Sequence, residues 1–414
     1  MTDACCCTPT TSNLKPYDDA LDLLLGYARV IDKTETLPLA SALDRVLAKS
    51  VTSHINVPGW NNSAMDGYAV NSSDVKNAGD RLPISQRIAA GSAAEPLQPG
   101  TAARIFTGAP VPQGADTVVM QEQCREENGG VVFESAIKVG GHIRLTGEDI
   151  RQGEVIIQAG ERLQPQHLGL AASVGVAELT VYCPLKVAVL ASGDELVMPG
   201  KPLQPGQIYN SNLFMANGML EALGCEVVEA SMVEDTLEAT KKALKQAAGK
   251  ADLILASGGV SVGEEDHVKP AVEALGELNM WKIAIRPGKP VAFGHIGDTP
   301  FIGAPGNPVS FFVTFLLFAR PFILKCMGLN DCLPTIIEEK AAFDWPKPDK
   351  RREFHRARLQ KSAQGGNEVV VYPSRSSAVL SSVTWADGLV MLEENQTISQ
   401  GDKVKFMPFN ELLK

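Results

Sequence analysis

At 414 residues the chain has room for two to four domains of roughly 150 residues each, which excludes a peptide or a disulfide-stapled scaffold. Its 44% hydrophobic, 21% charged and 6% aromatic residues, with a mean hydropathy of -0.01, describe a soluble globular protein rather than a disordered or membrane-embedded one. A formal net charge of -10 excludes generic binding to nucleic acid or to an anionic membrane, because both need a basic face.

Residues 1–13 are small and polar and are expected to be disordered; they carry Cys5, Cys6 and Cys7. The other cysteines, Cys124, Cys183, Cys225, Cys326 and Cys332, show no C-x-x-C or Cys/His spacing, so the thiols read as incidental in a reducing compartment. No basic region followed by an apolar stretch opens the chain, and a cytoplasmic protein without a signal peptide is expected. Tyr17, Leu21, Leu24, Leu25, Ala28 and Ile31 recur at helical spacing and predict an amphipathic helix over 17–31; a second short helix is expected over 40–48, after Pro38. Residues 51–149 change to an all-β pattern, with runs at 102–106, 117–121 and 130–133 between Gly and Pro turns, and 164–174 is helical again.

From Leu185 onward strands and helices alternate. Strands are expected at 185–191, 226–230, 252–257, near 281–285 and at 290–293, with helices at 212–223, at 236–248 behind Asp235, up to Leu275, and from Pro308. Such alternation predicts a mostly parallel sheet with ligands at the carboxyl ends of its strands. The longest apolar run, 309–319, is interrupted by Arg320 and Pro321 and falls short of the roughly 20 residues of a membrane span, so it reads as a buried helix. After Gly328, prolines at 334, 346 and 348 mark a boundary, and the runs at 368–372 and 388–392 predict a small terminal β-domain.

Four loops concentrate polar groups. The first, Asn62-Ser63-Ala64-Met65-Asp66-Gly67-Tyr68-Ala69, holds one carboxylate, and Asp before Gly is ordinarily a turn whose carboxylate accepts backbone bonds. The second, Ser192-Gly193-Asp194-Glu195-Leu196, follows a strand, placing Asp194 and Glu195 at a sheet's carboxyl edge or on a solvated loop. The third, Ser257-Gly258-Gly259-Val260-Ser261-Val262-Gly263-Glu264-Glu265-Asp266-His267, also follows a strand. Its glycines let backbone N–H groups approach an anion, yet Glu264 and Glu265 stand where a P-loop has Lys and Ser/Thr, which disfavours an ordinary NTPase. The fourth joins Lys282 and Arg286-Pro287-Gly288-Lys289-Pro290 to Gly303-Ala304-Pro305-Gly306-Asn307-Pro308-Val309-Ser310, three cations within eight residues before a Gly/Pro loop that opens a helix. Anions gathered beside Glu195, Asp235 and Asp266 would be repelled unless a hard cation intervened; Mg²⁺, which takes oxygen ligands from one or two carboxylates and from phosphates, resolves the conflict. The residues alone therefore point to a Mg²⁺-assisted enzyme acting on a phosphorylated substrate.

Together with Thr107-Gly108-Ala109-Pro110 and Gly147-Glu148-Asp149-Ile150, these loops make seven stretches in order, and the chain resembles the molybdopterin molybdotransferase family, the MoeA proteins and the gephyrin E domain. The resemblance implies an α/β multidomain homodimer: a split N-terminal domain over 14–52 and 150–184, a β-rich domain over 53–149, a three-layer α/β domain with a mostly parallel sheet over 185–332, and a C-terminal β-barrel-like domain over 333–414. It implies insertion of molybdenum from molybdate into adenylylated molybdopterin with release of AMP, assisted by Mg²⁺. It further implies functional roles for Asp66, Thr107, Asp149, Glu195, Asp235 and Asp266, the last three with the metal, and a molybdate pocket of Ser261, Lys289, Pro290 and Ser310 shaped by Pro305 and Pro308. Lys282, Arg286 and either Arg351 or Arg356 would bind phosphate, and in the dimer Asp66, Thr107 and Asp149 would face the other subunit's α/β site. Arg286 stands where relatives often carry Lys, Ala304 where Leu is usual and His267 where an aromatic residue is common. Implied partners are a separate molybdopterin adenylyltransferase and cofactor-accepting enzymes. Two rival readings are a scaffold like the gephyrin E domain, disfavoured by the lack of a long linker, and an adenylyltransferase, disfavoured by the Asp66 loop and the β-rich insertion.

Overall fold

A computed structural model describes residues 14–259, 267–288, 290–362 and 365–413. The chain divides into two compact units, one formed by residues up to Glu35 together with Tyr182–Lys414, the other by Thr36–Val181.

The Thr36–Val181 unit is built around a six-stranded sheet in the order Thr117–Met120, Gly67–Val70, Ala102–Ile105, Arg81–Ile88, Gly130–Phe133, Cys124–Glu127. Side chains alternate between its faces: Tyr68 and Val70 pack with Val119, Val131 and Phe133, while Ala69 packs with Ile88, Ala103 and Val118. Gly67 belongs to this sheet; a Cβ there would fall 1.9 Å from the Val119 carbonyl oxygen, so the glycine after Asp66 serves strand packing rather than a turn. A further core joins Ala42, Leu47 and Val51 to Ile157, Leu163, Ala171, Leu179 and Val181, residues from both sides of the β-rich segment. The helix expected over 40–48 is instead a single 3₁₀ turn, Leu39–Ser41. Beyond it Asp44 takes a φ of 62°, and Val46 and Leu47 form bridges to Arg162 and Val181, so the apolar residues reach the core in extended form.

The larger unit carries a mixed sheet in the order Glu226–Val233, Lys186–Ser192, Leu253–Ser257, Thr299–Ala304, Pro290–Ile296, Gly276–Lys282. The first four strands run parallel and the last two pair antiparallel, in line with a mostly parallel expectation. The helices Leu237–Ala248 and Val268–Leu275 supply Leu244, Ala247, Val268, Ala271 and Val272 to a core that includes Leu190, Ile254 and Phe301 from the sheet. The helical run from Pro308 to Cys326 contains a π-helical turn at Phe315–Ala319 and is 94% buried, which makes it a core helix. The first helix, Tyr17–Tyr27, is shorter than expected because Ala28 turns extended; Tyr17 packs its ring 5.5 Å from that of Phe318 and 5.3 Å from that of Phe354. Arg352–Lys361 pairs with both Asn367–Val371 and Gly388–Leu392, closing these with Ile337–Ala341 and Lys403–Pro408 into the β-barrel anticipated for the C-terminal part. Ile285–Arg286 joins the edge of Arg352–Lys361 as a short parallel strand, stitching the Arg286–Pro290 loop to the barrel.

Candidate functional site

In the smaller unit three of the motif loops fold onto one another. Asn62–Ser63 pairs with Ile143–Arg144, the Ser63 amide donates to the Ala109 carbonyl at 2.9 Å, the Gly108 amide to the Ser63 carbonyl at 2.8 Å, and the Gly147 amide to the Pro58 carbonyl at 2.9 Å. Asp66 ends the loop at the edge of its strand, and its Oδ1 accepts from both the backbone N–H and the hydroxyl of Thr107 at 2.8 Å each. These two bonds, backbone first, with the Arg104 guanidinium nearby, hold the half-buried carboxyl below its ordinary value against the opposing effect of burial. Backbone donation to Asp66 is what its sequence position suggested, but the donor lies 41 residues away instead of in a local turn. Asn61 orders the third loop in the same manner, accepting from the Thr146 amide at 2.8 Å and hydroxyl at 3.0 Å; Asp149 follows on that loop and is exposed.

In the larger unit the parallel strands deliver Ser192, Asp235, Ser257 and Pro305 to one edge of the sheet, as the βα pattern requires. Ser192 Oγ donates to Asp235 Oδ1 at 2.9 Å. Asp235 is free to accept because the helix behind it is capped by Thr236, whose Oγ1 takes the Ala239 amide at 3.3 Å; the residue expected to open that helix is thereby released to the sheet edge. Glu195 lies three residues past the end of the neighbouring strand and is exposed. Gly258 carries a φ of +86°, and a Cβ there would lie 2.8 Å from the Ser192 carbonyl oxygen, so only glycine lets these two strand ends approach.

Asn212 holds two of the loops together. Its Nδ2 donates to Ser257 Oγ at 2.9 Å and to the Gly306 carbonyl at 2.7 Å, while its buried Oδ1 has no hydrogen-bond partner among the described residues. Neither Ser192 nor Asn212 was singled out from the sequence; the Asn-Ser-Asn stretch ahead of the helix Asn212–Ala222 was the available signal. The two halves of the fourth loop also meet: a Cβ on Gly288, at φ +104°, would lie 2.5 Å from Thr314 Oγ1 and 3.5 Å from the Ser310 carbonyl oxygen. Asn307 stands at the helix start without a side-chain capping bond among the described residues, and Ser310 is buried one turn in. The Val309 amide donates to the Ser377 carbonyl at 3.1 Å, bringing a barrel loop to the same helix start.

The candidate cations differ in kind. Lys282 ends its strand and is exposed. Arg286 Nη1 lies 3.2 Å from Asp349 Oδ2, and Arg351 grips the same carboxylate through Nε at 3.0 Å and Nη2 at 2.8 Å. Arg356 is 1% exposed and donates to Ser382 Oγ and to the carbonyls of Ser374 and Ser376, whereas the Arg351 side chain is 29% exposed. Ser261, Asp266 and Lys289 lie outside the described residues, and Pro290 opens its strand at the far side of Lys289. Among the described residues no three His, Cys, Asp or Glu side chains gather into a metal cluster. Glu195 and Asp235, at neighbouring strand ends, supply the oxygen-only donor chemistry that Mg²⁺ takes when phosphate oxygens complete its shell.

A β-rich unit, a mostly parallel α/β sheet with its motif loops at the strand ends, and a closed five-stranded barrel together define the MoeA class of molybdopterin enzymes. Residues 15–175 match the MoeA N-terminal region (domain I and II), 188–325 the probable molybdopterin binding domain and 339–409 the MoeA C-terminal region (domain IV). The chain is 40% identical to a molybdopterin molybdenumtransferase of Haemophilus influenzae over 96% of its own length and 99% of that protein's, and 35% identical to one of Bacillus subtilis over 83% and 82%. It also superposes on a crystal structure of the molybdopterin biosynthesis protein MoeA from Pyrococcus horikoshii OT3 with a TM-score of 0.82, at 27% identity, covering 96% of this chain and 100% of that one. The chain belongs to the MoeA family.

Proposed function

We propose that this protein is a molybdopterin molybdenumtransferase, moving molybdenum from molybdate into adenylylated molybdopterin with release of AMP, the last step of molybdenum cofactor assembly. The observation that carries this reading is the 40% identity to the Haemophilus influenzae enzyme over nearly the full length of both chains. The convergence of Ser192, Asp235, Ser257 and the Gly306 loop at one sheet edge agrees with it.

In this reading the Gly258 loop with Ser261, and Lys289, Pro290 and Ser310, hold the molybdate oxyanion, with Pro305 and Pro308 fixing the loop between strand and helix. Lys282, Arg286 and Arg351 bind the substrate's phosphates, and the Asp349 bridge keeps two of those guanidinia in place. Glu195, Asp235 and Asp266 would hold Mg²⁺, which neutralises phosphate charge when bound. Asp66, fixed by Thr107, and Asp149 present carboxylates to the substrate. A water oxygen attacks the adenylate phosphorus and breaks the phosphoanhydride, so that AMP leaves and the substrate keeps its own phosphate; the two dithiolene thiols bond to molybdenum as their protons leave with one molybdate oxygen as water, and no side chain has to form a covalent intermediate. We assign the enzyme to the cytoplasm, as a homodimer receiving its substrate from a separate adenylyltransferase. The exposed apolar residues Leu203, Ile208, Tyr209 and Phe214 give the larger unit a surface suited to a partner subunit.

The test is to mix the protein with adenylylated molybdopterin, Mg²⁺ and molybdate or tungstate, and to follow AMP. Release that requires the oxyanion is the expected outcome. Consumption of ATP in its place would make the protein an adenylyltransferase, and neither reaction would leave a scaffold.

A further inference from the structure

The barrel side of the Arg286–Pro290 loop carries a third guanidinium that the reading above does not use. Arg375 Nη2 donates to Glu353 Oε1 at 2.6 Å, and its guanidinium carbon lies 4.2 Å from the centre of the Trp345 ring. Trp345 Nε1 donates to the other oxygen, Glu353 Oε2, at 3.0 Å, and His355 Nε2 stands 3.4 Å from Oε1, so this carboxylate, 2% exposed, is committed to the protein. Arg286 Nη1 bridges the two anions, 3.2 Å from Asp349 Oδ2 and 4.0 Å from Glu353 Oε1. Three guanidinia, Arg286, Arg351 and Arg375, thus face two carboxylates, Asp349 and Glu353, leaving one positive charge in excess with His355 neutral.

The arrangement is ordered yet incomplete. Arg286 uses Nη1 alone and Arg375 Nη2 alone; their remaining N–H groups meet no acceptor among the described residues, and the side chains are 36% and 37% exposed. The loop that carries Arg375 is clamped on both sides, since buried Arg356 donates to the carbonyls of Ser374 at 2.7 Å and Ser376 at 3.2 Å. Two residues further on, the Ser377 carbonyl accepts the Val309 amide at the start of the Pro308 helix, which brings this loop to the strand-end loops of the candidate site. A guanidinium pinned along one edge by a buried anion, with its other edge open, is a preorganised receptor for an oxyanion.

We propose that Arg375 is a further substrate-binding residue, completing with Arg286 and Arg351 a seat for two linked phosphates: one station at Arg351–Asp349, the other at Arg375–Glu353, and Arg286 between them. The identity of the natural ligand as an adenylylated, diphosphate-bearing molecule rests on the function proposed above; the seat itself does not. Calorimetric titration of the full chain with inorganic pyrophosphate and with orthophosphate separates the two. Arg375→Gln should weaken pyrophosphate roughly tenfold, the scale of a lost charge-assisted contact, while changing orthophosphate by no more than about twofold; Arg375→Lys should recover part of the loss. With adenylylated molybdopterin, Arg375→Gln should raise its KM and leave kcat and the KM for molybdate unchanged. Equal pyrophosphate affinity in the native protein and Arg375→Gln, an equal loss for both anions, or no pyrophosphate binding by the native protein overturns the proposal. A native protein that binds pyrophosphate in this Arg375-dependent way but releases no AMP would sink the proposed function and leave the seat standing. If Arg375→Gln lowers the thermal midpoint, Arg375→Lys is read in its place: a smaller loss confined to pyrophosphate supports the seat, and native pyrophosphate affinity or an equal loss for both anions overturns it.

Discussion

Asp66 is half-buried, and its carboxylate is held by a residue far along the chain. Two donors from a single residue, the amide and hydroxyl of Thr107, fix one of its oxygens and leave the other open. Thr107→Val keeps the amide and removes the hydroxyl, so the Asp66 carboxyl should rise toward its ordinary value without reaching it, a shift that an NMR titration of the side chain reads directly. For a carboxyl held below its unfolded value, the favourable charged state is present at higher pH and is lost as pH falls through the folded value. The acidic limb of molybdate-dependent AMP release should therefore move to higher pH in Thr107→Val. An unmoved limb would show that Asp66 ionisation does not govern it.

Between residues and the whole chain, one side chain ties two loops together. Asn212 is 8% exposed and spans from Ser257 to Gly306; Ser257 is 4% exposed, so Asn212→Ala leaves its hydroxyl without this donor in a place water barely reaches, whereas the Gly306 carbonyl is exposed and can turn to solvent. A loss of about 1–3 kcal/mol is expected, measured as a lowered urea midpoint, together with a raised KM for substrate because the Gly306 loop is released. A variant that unfolds at the native midpoint with native KM would remove Asn212 from this role. The same element shows what the sequence could and could not disclose. The buried strands Lys186–Ser192 and Leu253–Ser257 and their helices were legible because both faces are apolar and the alternation is regular. The strand Arg352–Lys361 was not, because its charges look solvated: Arg356 is buried against Ser382 and loop carbonyls, and Glu353 against Trp345 and Arg375, partners that only the closed barrel supplies. At the site, residue types and loop order were legible from the motifs, while Asn212, Ser192 and Arg375 act through contacts 45, 43 and 22 residues away, which no local pattern announces.

Across the whole molecule, the response to acid should be dominated by the barrel. Hydrogen bonds from Arg351 hold the Asp349 carboxyl well below the usual carboxylate range despite burial. Burial pushes the Glu353 carboxyl up, but the nearby His355 ring and the bonds from Trp345 and Arg375 outweigh it and leave it lowered. His355, 5% exposed, is pushed below the ordinary imidazole value by burial, with Arg375 and Arg356 acting in the same direction and Glu353 against it. All three groups have folded values below their unfolded ones, so at falling pH the unfolded chain takes each proton first and stability drops. Their windows are successive: His355 begins to cost stability below about 6.5, and the two carboxylates below about 4. The thermal midpoint should accordingly be flat between about pH 7 and 8, fall gently from about 6.5 and steeply below about 4. His355→Gln, which keeps a polar side chain beside Glu353 but cannot titrate, should abolish the gentle decline and spare the steep one. If thermal unfolding followed from pH 8 to pH 3 shows His355→Gln falling in parallel with the native protein between pH 7 and pH 5, the histidine is not the source of that slope.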